Sequence, residues 1–443
     1  MQAVFKKTIA GFLLLFALLF SGCMTHNIDE LLSIPHPSEE YLDLQEKIDD
    51  VIASGAVYSA PASGSYRQSV QLHDINGDGV SEALAFFNVS GEKPLKIYIY
   101  RNFEGEYENV AVIDGDGTAI ESISYADMDG DGWTEIIVGW KMGADIKMLN
   151  IYSLKGFSVS SVAAIDYTEY ITGDITDDGC SDVMVIRHNR SEYSGSVAVY
   201  AMGSDSEIIS SEARLSQSIE NISKVTMGKL TVETPALFVE SVYDGTGLIT
   251  DIFVGTDGHV ANISADDTGT SSQTLRYYTV YCRDIDSDGV MEIPIPRTLP
   301  SQGGTSYRSL DWYNFTRSGT AQLAMTTYHN YSDSWYLAIP DSWRGNVTVR
   351  REDTAGGERA VVFSVWNGED VPVTDFLKIY ALTGENRAVA ATRGARQIIR
   401  REDEVIYAAE LIAEGSNWEH IVGYPYLKEN LHLIYSEWVT GLT

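Results

Sequence analysis

Asp127-Met-Asp-Gly-Asp-Gly-Trp-Thr-Glu135, followed at once by Ile-Ile-Val138, is the stretch that decides the fold. Acids at its first, third, fifth and ninth positions and a glycine at its sixth make a tight polar loop, and the apolar residues behind it make a buried strand. The frame recurs as Asp74-Ile-Asn-Gly-Asp-Gly-Val-Ser-Glu82 before Ala-Leu-Ala-Phe-Phe87. It recurs again as Asp174-Ile-Thr-Asp-Asp-Gly-Cys-Ser-Asp182 before Val-Met-Val-Ile186, and as Asp284-Ile-Asp-Ser-Asp-Gly-Val-Met-Glu292 before Ile-Pro-Ile295. The first three copies start 53 and 47 residues apart, and the last starts 110 residues after the third. Half of that gap predicts a decayed copy near position 229. There Lys229-Leu-Thr-Val-Glu-Thr-Pro235 and Ala-Leu-Phe-Val239 keep the apolar frame and lose the acids.

Five units of about 55 residues therefore cover 57–333, each with room for about four strands. In the second unit these read as 136–140, 147–154, 159–165 and 170–175. Four strands per unit in tandem array predict a mainly β fold, a β-propeller of about five four-stranded blades. Six or seven blades fit if flanking segments add strands. A β-solenoid is disfavoured because its repeats are usually shorter. Beyond 334 the repeat stops, and 334–443 reads as a small α+β domain with strands near 336–340, 347–351, 360–366, 376–382 and 405–411. Leu427, Leu431, Ile434 and Trp438 fall on one side of an expected C-terminal helix, and Trp335, Trp343, Trp366 and Trp418 suit its core.

The 443 residues carry 63 acidic against 31 basic side chains, a formal charge of −32. Phosphate backbones would repel such a chain, which argues against a nucleic-acid partner. At the N-terminus, Lys6 and Lys7 precede an apolar run of 12 residues, 9–20, and then Ser21-Gly22-Cys23. Twelve helical residues rise about 18 Å against a hydrocarbon layer of about 30 Å, so the run reads as a signal peptide over 1–22. Residues 23–56 read as a polar linker and an amphipathic helix, with Tyr41, Leu44, Ile48, Val51 and Ile52 at helical spacing before Gly55. Among the other candidates, the eight histidines show no metal spacing, His73 reads as a strand residue, and Cys180 and Cys282 read as two buried thiols. There is no nucleophile elbow or phosphate loop.

The acidic loops make sense as calcium cages. Oxygens at the first, third and fifth positions converge where the chain turns at glycine, the carbonyl of the seventh adds a neutral ligand, and the ninth carboxylate closes the shell. Hard oxygens without neighbouring His or Cys sets favour Ca²⁺ over Zn²⁺. The ligand positions carry −3, −4, −3 and −4 in chain order, a crowding that a divalent cation would relieve. Binding near 10⁻⁴ M would add roughly 1.4 kcal/mol per site at about 1 mM Ca²⁺. An EF-hand is excluded because its twelfth-position Glu is replaced by Ala85, Val138, Val185 and Ile295, which look like strand residues.

In these loops the chain resembles the FG-GAP/VCBS-like repeats of integrin α-type propellers, where such loops bind calcium between strands of a blade. The resemblance implies up to four structural Ca²⁺. Site one is Asp74, Asn76, Asp78, Val80 (carbonyl) and Glu82, and site two is Asp127, Asp129, Asp131, Trp133 (carbonyl) and Glu135. Site three is Asp174, Thr176, Asp178, Cys180 (carbonyl) and Asp182, expected to be weakest because of its threonine. Site four is Asp284, Asp286, Asp288, Val290 (carbonyl) and Glu292. The small residues before Cys23 resemble a bacterial lipobox, which implies acylation of Cys23 and an exported chain held on the outer face of the bacterial cell membrane. The resulting expectation is a monomeric, non-enzymatic lipoprotein that binds a protein or glycan. The alternative is an extracellular carbohydrate-active enzyme of the polysaccharide-lyase kind. That enzyme would need a cleft with a Lys, Arg or Tyr base beside an ion open to solvent.

Overall fold

The computed structural model describes residues 41–435 except 204–206, 257–258, 303–305, 354–357 and 414–416. The expected signal peptide, Cys23 and Trp438 lie outside the described residues. The chain is mainly β, built as six antiparallel sheets of four or five strands in chain order. In the second sheet Ala119–Ala126, Glu135–Lys141, Lys147–Ser153 and Ser160–Asp166 run side by side, and the third repeats this from Glu169–Gly173 to Ile208–Arg214. Central strands such as Glu135–Lys141 are buried on both faces, which explains why they read as continuous apolar runs instead of alternating ones.

In the second and third sheets the acidic loop joins the first and second strands, and in the fifth it leads into the first strand, Ile293–Thr298, after a single bridge from Arg283 to Glu292, so the sheets are offset by one strand from the repeats in the sequence. The segment at 170–175, expected to finish the second unit, opens the third sheet by pairing with Asp182–Asn189. The decayed copy occupies the same hairpin in the fourth sheet: Ile219–Thr231 turns directly into Thr234–Tyr243, with Thr231 facing Thr234. Without acids to hold a long loop, the two strands simply extend to a tight turn.

Two expectations about the C-terminal part are corrected. The boundary at 334 falls inside the fifth sheet, because Trp335–Ile339 pairs with Ala321–Asn330 and also with Leu431–Leu433. The segment beyond it is not a separate α+β unit: Val347–Asp353, Arg359–Val365, Thr374–Thr383, Val405–Leu411 and Gln397–Arg401 form a sixth sheet. The cause is packing, since Trp335, Trp343 and Tyr328 share one core with Val361, Phe363 and Phe376 across the two sheets. The terminal helix is likewise short, Tyr424–Asn430, so Leu431 lies on a strand.

Neighbouring sheets stack face to face. Leu84 and Ile97 of the first pack with Ile136 and Val138 of the second. Ile137 and Ile151 pack with Val183 and Val185 of the third, and Ile186 packs with Leu237 and Phe253 of the fourth. Phe238 and Ile252 then pack with Ile293 and Phe315 of the fifth. The amphipathic helix forms over Leu42–Ala53 and buries Leu44 and Ile48 on Ala83, Ala85 and Phe87, the outer face of the first sheet. The outer face of the sixth, with Ala360, Tyr380 and Ala408, is covered by Ala390 and Ala391 at the helix Arg387–Ala390. The first and sixth sheets thus each carry a helix on one face.

Candidate metal centre

The four loops share one backbone design. The glycine at the sixth position is left-handed in all four: Gly79, Gly132, Gly179 and Gly289 have φ between +85° and +88°. The fourth position is left-handed too, as Gly77 and Gly130 in the first two loops but as Asp177 and Ser287 in the others. The first aspartate accepts from the N–H of the sixth residue: Gly79, Gly132, Gly179 and Gly289 each donate to it at 2.9–3.1 Å. The fifth-position carboxylates of Asp78, Asp131, Asp178 and Asp288 accept from the N–H of Val80, Trp133, Cys180 and Val290 at 2.7–2.9 Å. Those four are the residues whose carbonyls the resemblance assigns to the ion.

The ninth carboxylate points inward. Glu82, Glu135, Asp182 and Glu292 are buried, and each accepts at 2.9–3.0 Å from the N–H of the loop's second residue, Ile75, Met128, Ile175 or Ile285. These second residues are themselves core residues. One buried carboxylate therefore ties the loop to the sheet core, and it also faces the acidic side of the loop. Successive loops are linked: Thr134 N–H donates to Ile75 O at 2.7 Å, Ser181 N–H to Asp127 O at 3.0 Å and Met291 N–H to Lys229 O at 2.9 Å. The first three loops are thus joined in sequence, and the fourth is joined to the decayed hairpin beside it.

Differences at the third position separate the sites. In sites two and four, Asp127, Asp129 and Glu135, and Asp284, Asp286 and Glu292, bring one carboxylate oxygen each to within 4.8 Å of one another. Burial, and then the three neighbouring carboxylates, push Glu135 up to about 7 and Glu292 up to about 8. Glu292 Oε1 is buried with no hydrogen-bond partner. An orphaned carboxylate oxygen beside two aspartates suits an oxygen-coordinated divalent cation. In site one the Asn76 amide bridges Asp78 at 2.9 Å and Glu82 at 3.4 Å, so a neutral donor occupies the middle of the cluster. In site three Thr176 donates from both N–H and Oγ1 to Asp182 Oδ2, each at 3.0 Å, and Asp182 is one methylene shorter than glutamate. Site two has a further neighbour that the sequence did not suggest: Lys155 Nζ lies 2.5 Å from Asp131, beyond a left-handed turn at Gly156. Against its partial burial, that ammonium holds Asp131 below the usual carboxylate range. Site four has the barest acidic set.

Of the remaining candidates, His73 ends the strand Val70–His73 and stacks on Tyr125 at 4.2 Å. Cys282 is buried, Cys180 is partly exposed, and both are free thiols.

An FG-GAP-like repeat model matches residues 74–138, which hold the first two acidic loops and, between them, three strands of the first sheet and the first strand of the second. No curated protein matches the chain. Among solved structures, the chain is similar to the exotype rhamnogalacturonan lyase YesX, at 13% identity and a TM-score of 0.30, over 70% of this chain and 68% of that one. It is similar to the rhamnogalacturonan lyase YesW at 15% identity and a TM-score of 0.31, over 68% and 58%. A bifunctional GH43-CE from Bacteroides eggerthii gives 13% identity and a TM-score of 0.21, over 80% and 48%. The repeated antiparallel sheets of this chain are of the β-propeller kind, with an FG-GAP-like repeat over residues 74–138.

Proposed function

We propose that the protein is a calcium-stiffened, non-enzymatic recognition module, exported and held at the membrane by a lipid on Cys23, that binds a protein or glycan partner. The observation that carries the calcium assignment is the pair of carboxylate triads at Glu135 and Glu292, with one oxygen of Glu292 orphaned. When bound, a cation there would supply electrostatic stabilisation of the crowded carboxylates. The chain's own part is to hold those oxygens through Gly132, Gly289 and the N–H groups of Met128 and Ile285. Because the second loop is bonded to both the first and the third, order at site two would stiffen those two neighbours.

The architecture disfavours the enzyme alternative. Lys155 is the one basic side chain bonded to a triad loop among the described residues, and Asp131 raises its pKa, which keeps it an ammonium and not a base. The large cleft described below lies at the opposite ends of the strands from all four loops. Calcium titration of the full chain, followed by melting and by retention on arrays of glycans and proteins, tests the proposal. Calcium-dependent thermal stabilisation together with partner retention supports it; shortened oligosaccharide products would replace it with the enzyme reading.

A further inference from the structure

At the edge of the stack opposite the acidic loops, the second, third and fourth sheets open onto one groove of about 1770 Å³. It is lined by the turn at 145–147, the hairpin tip at 187–196 and the connections at 212–220 and 267–269. That volume exceeds the roughly 300–1,000 Å³ of pockets for single small molecules, so it suits a chain of several units.

The groove is built and held. Buried Asp251 receives Ser216 N–H at 3.0 Å, Ser216 Oγ at 2.7 Å, Ser271 Oγ at 2.5 Å and Asn262 Nδ2 at 2.8 Å. One carboxylate thereby fixes the two connections that carry Ser218 and Asp267–Gly269. Across the groove, the hairpin tip is pinned to the next sheet by Ile219 N–H to Tyr193 O at 3.2 Å and by His188 Nε2 to Ile219 O at 2.9 Å.

Three of its lining residues, Tyr193, Ser218 and Asp244, have φ of +50°, +63° and +45°. A tyrosine in this region is an outlier, because its side chain crowds its own backbone. Tyr193 is nevertheless held there with its ring 53% exposed. A turn needing only the backbone shape would be served by glycine, so the ring itself is what the position keeps. A flat, half-exposed ring in a groove lined by side-chain acceptors matches a sugar, whose C–H face stacks and whose hydroxyls donate. Charge selects among sugars. Seven carboxylates against Lys147, Arg187 and Arg214 line the groove, and Arg187 is already engaged by Asp166 at 3.4 Å and Glu212 at 3.5 Å. A net of −4 would repel a polyuronate.

We infer that this groove binds a neutral oligosaccharide, with Tyr193 as its stacking platform and the surplus carboxylates as hydroxyl acceptors. The inference rests on the recognition reading above and gives it a place and a ligand class.

The test is calorimetric titration of the full chain in about 1 mM CaCl₂ with neutral gluco-, xylo- and manno-oligosaccharides, oligogalacturonate and a lysine-rich peptide. The variants are Tyr193→Gly, which removes the ring and relieves the backbone, and Tyr193→Phe, which keeps the ring. At least one neutral oligosaccharide should bind, Tyr193→Gly should weaken it about tenfold or more without lowering the melting temperature, and Tyr193→Phe should retain it. Binding of oligogalacturonate or the basic peptide alone overturns the inference. So does neutral-sugar binding indifferent to Tyr193→Gly, although recognition as the general function would then survive. Retention of nothing from any class by folded, calcium-loaded protein would remove both.

Discussion

Substituting Glu292 should weaken the loss of stability that the calcium-free protein suffers as pH rises. Glu292 is fully buried, with Oε2 on the Ile285 N–H at 3.0 Å and Oε1 without a partner. Burial, and then Asp286, Asp288 and Asp284, raise its pKa from an ordinary 4.5 to about 8. Between those values the folded state holds a proton that the unfolded state has lost. Stability contributed by this group is therefore present at low pH and is lost as pH rises toward about 8. The slope is at most about 1.4 kcal/mol per pH unit, so from about pH 6.5 to about pH 8 the loss approaches 2 kcal/mol. Glu135, raised to about 7, adds a smaller part.

Buried His329 and half-buried His73 act with the opposite sign, because burial lowers their pKa and stability rises with pH until the unfolded value is passed. Starting at about pH 6.5, the unperturbed histidine value, confines most of their effect below the window. Urea unfolding followed by tryptophan fluorescence in excess chelator should show wild type losing stability across this window and Glu292→Gln losing distinctly less. Adding about 1 mM Ca²⁺ should flatten the wild-type slope, since the cation binds the ionised form, and should do less for the variant. Equal slopes for the two proteins in chelator would refute the placement of Glu292 as a desolvated acid within an acidic cluster.

Further outcomes follow from single residues. Asn76→Asp replaces the bridging amide of site one with a fourth carboxylate, and equilibrium dialysis should then find one additional Ca²⁺ per chain. Gly77→Ala should cost more than Gly79→Ala in thermal melts. Both lose a left-handed glycine at about 1 kcal/mol, but only a Cβ at position 77 meets Gly132 O, at 2.6 Å. Arg276→Met leaves Glu240 buried without its 2.6 Å partner, and urea unfolding should register a loss of about 3–5 kcal/mol. Trp343→Ala removes a fully buried ring and its 2.8 Å bond to His420 O, and should cost a similar amount by hollowing the core shared by the fifth and sixth sheets.

The acidic loops were legible because their demands are local: turn glycines, converging oxygens and a following apolar strand sit at fixed offsets within nine residues. The same locality hid the phase of the sheets. Ala119–Ala126, the strand before the second loop, mixes half-buried Ser and Glu with apolar residues and lacks the signal of the buried run after it. The sixth sheet carries no acidic loop, and Tyr328 gave no sign that it carries the fifth sheet into the core of Phe363 and Phe376. Such contacts between distant segments leave no period in the chain. At the metal sites, the aspartates and glutamates could be named, yet not that Asn76 and Thr176 satisfy their own clusters or that Lys155 reaches Asp131. The groove was invisible for a further reason: it is assembled from turns of three sheets, and the backbone of Tyr193 shows no sequence mark of its strain.

The measurement that bears most directly on the account is the number of Ca²⁺ ions bound per chain, by equilibrium dialysis with metal analysis at about 1 mM free calcium. Two ions, one lost in Asp129→Asn and the other in Glu292→Gln, is the predicted result. No bound calcium, or loss of an ion on substituting Asp178 but not on substituting Glu292, would contradict it.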